Sequence, residues 1–156
     1  MVCQLTMSGI EKNRTWVLEE ELAPVYNPEC PPSIPQRAPT TDRIDFYAEV
    51  KKCPNVCSSY HVVYGKLQVD GHSISVVCKY VIGADREASI RKLRDEARYY
   101  TTLFKSLQGK AIPYFFGSYH GYLDPGNTDV HCLVLEYVGE PLSRVEFDDG
   151  FNADIL

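Results

Sequence analysis

Between Tyr60 and Ile82 the chain reads YHVVYGKLQVDGHSISVVCKYVI, two runs rich in β-branched and aromatic residues separated by Asp70-Gly71. Asp-Gly between such runs is a strong short-range hairpin signal, so two antiparallel strands are predicted here. In the second strand Ile74, Val76, Cys78, Tyr80 and Ile82 share one face, and Ser75, Val77, Lys79 and Val81 share the other. FYAEV, just upstream, reads as an earlier strand, followed by KKCPNVCSS as a loop.

The period then changes. From residue 85 to 108, Ile90, Leu93, Ala97, Tyr100, Phe104 and Leu107 recur at spacings of three and four, the stripe of an amphipathic helix. Gly109 is placed to close it, and Pro113 interrupts the segment beyond. FFGSY starts a further strand, DPGN (Asp124 to Asn127) reads as a turn, and HCLVLEYV as a buried strand. The predicted fold class is α+β: a twisted antiparallel sheet of about five strands carrying one long packed helix.

Residues 1 to about 22 show weak periodicity and read as a loose N-terminal segment. APVYNPECPPSIPQRAP comes next, with Pro24, Pro28, Pro31, Pro32, Pro35 and Pro39. Prolines that dense prevent helix and discourage sheet, so an extended arm is expected along the domain. The expected organisation is an N-terminal segment and Pro-rich arm over 1–44, one α+β domain over 45–145, and an acidic tail over 146–156.

Charge and cysteine usage narrow the function classes. A formal net charge of −5 argues against a nucleic-acid surface, which wants a basic stripe. No apolar run reaches the length of a signal peptide or a membrane span, so the expectation is a cytoplasmic or nuclear protein without membrane contact. Cys3, Cys30, Cys53, Cys57, Cys78 and Cys132 contain no CxxC pair. A zinc site from Cys53, Cys57 and His61 lacks the fourth ligand and the tight pairing of structural zinc, and reduced thiols filling apolar strands are the plainer reading.

Lys79 is the residue with the most chemistry to explain. A lysine inside an apolar strand needs an acid, a phosphate or a route to water. The helix offers Glu87, Asp95 and Glu96. At about 100° per residue, Glu96 lies roughly 70° from the centre of the apolar stripe, while Asp95 lies on the far side. Glu96 is therefore the predicted partner.

These residues together resemble the small lobe of the protein-kinase superfamily, closest to the divergent kinase-like proteins of mushroom-forming fungi. VVYGKLQVDGHSISVVCK resembles the second and third strands, the latter carrying the ATP-contacting lysine. DEARYYTTLFKSLQGKAIPYFFGSY resembles the helix bearing the ion-pair partner and the strand after it, and CLVLEYVGEPLS resembles the strand entering the hinge between lobes. The resemblance spans about residues 46 to 145. It implies ATP as a ligand, with Lys79 on the α and β phosphates and Glu96 orienting it. It further implies Val63 and Val77 as a roof over adenine, Leu135 at the gatekeeper position, and backbone contacts to the base from Glu136 and Val138.

The chain departs from the family in two places. Where a GxGxxG loop would approach phosphate, the matching positions hold Val56, Ser58 and His61. The aspartate and the magnesium ligands of phosphoryl transfer come from a large lobe, so magnesium is not expected to be held by this chain. Asp148-Asp149-Gly150 mimics a magnesium-binding motif only superficially. Two functional expectations result: a binding module, a kinase-like small lobe with weak or no ATP binding that docks a protein partner or a second copy, or the front part of an active ATP-dependent kinase. An unrelated α+β fold is the third.

Overall fold

The computed structural model describes residues 2–25, 35–49, 60–83, 86–123, 126 and 128–139. Among the described residues, seven strands form a closed barrel with one α-helix on its outside. In chain order they are β1 (Gln4–Glu11), β2 (Arg14–Leu22), β3 (Arg43–Ala48), β4 (His61–Val69), β5 (His72–Ile82), β6 (Phe115–Leu123) and β7 (Thr128–Glu136), with α1 (Glu87–Thr101) between β5 and β6. Around the barrel the order is β1, β2, β6, β7, β5, β4, β3 and back to β1. β1 and β3 run parallel; every other neighbouring pair is antiparallel.

This overturns the expected open sheet of about five strands. The segment expected to be loose supplies the closing hairpin, β1–β2, turning at Asn13 with φ 60°. Its alternation is plain once the turn is located: Leu5 and Met7 on one strand, with Cys3 just ahead of it, and Trp16 and Leu18 on the other are buried in the core. Without the hairpin, β3 and β6 would each present an unpaired edge; with it, β1 covers one and β2 the other. The arm is described only from residue 35. There Arg37 forms a two-pronged ion pair with Glu20, one arm at 3.1 Å, with both side chains largely buried. Burial alone would lower the Arg37 pKa, but the Glu20 carboxylate more than compensates and holds it charged.

The β4–β5 hairpin turns at Asp70-Gly71, both with positive φ (49° and 81°), as a two-residue turn of the twist-compatible type requires. Gly65 on β4 is needed for a different reason: a β-carbon there would collide with the Tyr47 carbonyl and the Phe46 ring. The side chains facing inward make the main core, which includes Phe46, Leu67, Val76, Cys78 and Tyr119. On the outer face of β5, β6 and β7, Val81, Phe115, Leu133 and Leu135 meet Leu93 and Tyr100 of α1 in a second cluster.

The helix is shorter than its sequence stripe. α1 ends at Thr101, where the hydroxyls of Thr101 and Thr102 both donate to the Arg98 carbonyl at 2.9 and 2.8 Å. Such local bonds compete with helix continuation. Phe104 and Leu107 are accordingly exposed, a short 3₁₀ turn (Lys105–Leu107) comes next, and Gly109 closes that turn and not the helix. The KKCPNVCSS loop, most of the DPGN turn and the whole acidic tail lie outside the described residues.

Candidate functional site

Lys79 sits on the outer face of β5, the side on which α1 packs. Its Nζ donates to Glu96 Oε1 at 2.7 Å, and the Tyr60 ring centroid lies 5.2 Å from the same nitrogen. Both charged side chains keep about a quarter of their surface, 22% and 26%. Burial would lower the lysine's pKa, but the hydrogen bond and charge of Glu96 outweigh it, so the ammonium is held above its ordinary value. The charge of Lys79 is thus answered from two sides, by a carboxylate and by the face of an aromatic ring.

The register decides which other residues share this face. β5 pairs with β7, which sets Lys79 opposite Leu133 and Val77 opposite Leu135. Val77, Lys79 and Leu135 are therefore brought together with Glu96 on the helix side. Val63 is not. It pairs with Cys78 and packs against the interior of the barrel, so it offers no roof to anything bound near Lys79. The residues that do line up there are Val62, opposite Lys79, and Tyr64, opposite Val77. Counting outward in equal steps from Asp70-Gly71 gives both pairings, so the signal was in the sequence.

Tyr64 is buried and stands edge-on to Tyr137, with ring centroids 5.4 Å apart. The base-edge positions lie at the end of β7. The Glu136 amide donates to the Tyr114 carbonyl at 2.8 Å, and Val138 is exposed. Together with residues 109–113 they border a cavity of about 150 Å³. Burial raises the Glu136 pKa, and its Oε2 has no hydrogen-bond partner among the described residues. Val56 and Ser58 of the loop that replaces the glycine-rich one fall outside the described residues, as do Cys53 and Cys57 of the considered zinc trio; His61 stacks on Tyr80 at 5.0 Å.

No family model, curated protein or solved structure matches this chain. Among the described residues no helix is long and apolar enough to cross a membrane.

One contributor escaped sequence reasoning altogether. Gln108 is buried, its side-chain amide donating to the Tyr100 carbonyl at 2.7 Å while its oxygen accepts from the Phe115 amide at 3.0 Å. It ties the last turn of α1 to the start of β6, and so holds the helix that carries Glu96 against the sheet that carries Lys79.

Proposed function

We propose that this chain acts as a binding module carrying a kinase-like pair of strand lysine and helix glutamate, with weak or no affinity for ATP. The observation that carries the reading is the 2.7 Å contact of Lys79 with Glu96, made between the second strand of a hairpin and the helix packed beside it. A strand lysine and a helix glutamate meeting this way is the arrangement that positions ATP phosphates in the family that the sequence resembles. The lysine strand is also hydrogen-bonded to the strand that would lead into a hinge.

One feature favours the non-catalytic side of the proposal. The face beside Val77 is occupied by the buried ring of Tyr64, which reduces the room for a planar base. Val77 and Leu135 still flank Lys79 as an adenine pocket requires, which keeps the front part of an ATP-dependent kinase as the second reading.

A thermal-shift titration with ATP and magnesium separates the two. The binding-module reading expects no change in Tm at millimolar nucleotide. A rise of several degrees that Lys79→Ala abolishes overturns it and establishes a nucleotide site, since a ligand stabilises the folded state only by binding it.

A further inference from the structure

On the outer face of the barrel, beyond Val81 from Lys79, two histidines and two carboxylates converge at the seam where the N-terminal hairpin joins the sheet. His120 of β6 and His131 of β7 are directly opposite one another, their rings stacked at 4.2 Å and 10°. Glu21 of β2 reaches both: its Oε1 lies 3.5 Å from His120 Nδ1 and 3.8 Å from His131 Nδ1. The β2–β6 register slips by one residue between Glu20 and Leu22, so Glu21 is the extra residue of a bulge. Bulges re-aim side chains, and this one turns Glu21 toward the histidine pair.

Asp129 occupies the other side of the rings. One of its oxygens contacts His120 Nε2, and the other lies 3.5 Å from His131 Nε2. A carboxylate at Nε2 fixes the proton there and leaves the Nδ1 lone pair as the donor. In neutral imidazoles of that tautomer both Nδ1 atoms face the Glu21 carboxylate as acceptors facing an acceptor. His131 carries that conflict into the interior: it is 4% exposed, and its Nδ1 is buried without a hydrogen-bond partner among the described residues. A buried nitrogen left unpaired beside a carboxylate calls for a cation.

We propose that Glu21, His120 and His131 form a binding site for one divalent transition-metal ion, zinc by the chemistry of its donors, with water as the fourth ligand and Asp129 holding both imidazoles from behind. One ligand atom from each of the three lies within 4.8 Å of the others. Tetrahedral zinc at about 2.0–2.1 Å from each donor sets donors roughly 3.3 Å apart, so Glu21 is nearly in place on both sides. The histidine rings must splay, because parallel rings aim their lone pairs along parallel lines. His120, with 23% of its side chain exposed against 5% for His131, is the one with room to tilt about its contact with Asp129.

Arg94 of α1 is the competing cation, with Nη2 3.4 Å from Glu21 Oε1 and half its side chain in solvent. An open cavity of about 380 Å³ lined by Glu21, Leu22, Arg94, Arg98 and Ser118 reaches the cluster at its carboxylate, past the two arginines. Once bound, the ion joins β2, β6 and β7, and therefore clasps the hairpin to the rest of the barrel.

The test uses the full chain, stripped with a chelator and titrated with Zn²⁺ by calorimetry and with Co²⁺ by visible absorption. One ion per chain is expected, with the ligand-field bands of a four-coordinate nitrogen and oxygen site. His120→Ala should abolish them, Asp129→Asn should weaken binding by roughly 10–100-fold, and Arg94→Ala should tighten it, an effect that lost structure would not produce. Should His120→Ala fail to fold in chelator, the opposite responses of the other two variants decide. A sulfur-to-cobalt charge-transfer band overturns the proposal by placing the ion on cysteine thiols. So does the absence of any band, or binding that His120→Ala leaves unchanged.

Discussion

At the scale of single residues, the contact between Lys79 and Glu96 is bounded in what it contributes. Both partners are about a quarter exposed, so the pair belongs near the surface range of about 1 kcal/mol and not to the buried extreme. Gln108 matters more to the fold. Its removal would leave the Tyr100 carbonyl and the Phe115 amide unpaired in a buried setting, and the expected cost of Gln108→Ala is about 2–4 kcal/mol. Urea unfolding checks this as a lower midpoint at unchanged m-value. Gln108→Met, which keeps most of the volume, should lose nearly as much if the bonds and not the packing are responsible. The lysine and its partner were legible because two simple periods, two for the strand and 3.6 for the helix, fix their faces. Gln108 was not, because a polar residue after an amphipathic stripe reads as surface until its partners in β6 are known.

At the scale of elements, the hairpin at Asp70-Gly71 was legible from its turn residues, but the turn does a second job that the sequence hid. Asp70 Oδ2 accepts from the Ala38 amide at 2.8 Å, and its Oδ1 accepts from the Thr41 hydroxyl at 2.6 Å. The arm is thereby pinned to the hairpin tip from 32 residues away. Those two bonds, Ala38 first, hold the Asp70 pKa below its ordinary 3.8. The folded value lies below the unfolded one, so the stabilisation is complete above pH 3.8 and is lost as pH falls through the folded pKa. The Ala38 amide proton should therefore shift with a midpoint below pH 3.8 when followed by NMR, and Asp70→Asn should flatten that titration. A midpoint at or above the ordinary carboxylate value would mean that the arm is not held there. The end of α1 was misread for a related reason: hydrophobic spacing runs on through Phe104 and Leu107, whereas the Thr101-Thr102 hydroxyls stop the backbone sooner.

At the scale of the whole molecule, the question is whether the hairpin that closes the barrel is an integral part of it or an attachment. The sequence obscured this because the inward alternation of β1 and β2 is short and is broken by a turn, and because Glu19-Glu20-Glu21 looks like solvated chain. Trp16 supplies the measurement. It is the only tryptophan, lies on β2, is 1% exposed, and meets the edge of Tyr80 on β5 at 5.4 Å and 81°. Its fluorescence therefore reports contact between the hairpin and the strand that carries Lys79. Far-UV circular dichroism instead reports all seven strands and the helix. The hairpin is hydrogen-bonded on both sides, to β3 and to β6, and its inward residues belong to the same core cluster as Phe46, Val76 and Cys78. Elements that share one core unfold together, so the two probes should give a single coincident urea transition. Leu18→Ala, which empties a fully buried position on the hairpin, should cost about 2–5 kcal/mol and move both midpoints equally. If the tryptophan signal alone moved, with the dichroism transition left where it was, the hairpin would be a separable cover over a sheet able to stand open. A metal ion bound across β2, β6 and β7 should then widen the gap between the chelated and loaded proteins at the tryptophan and not elsewhere.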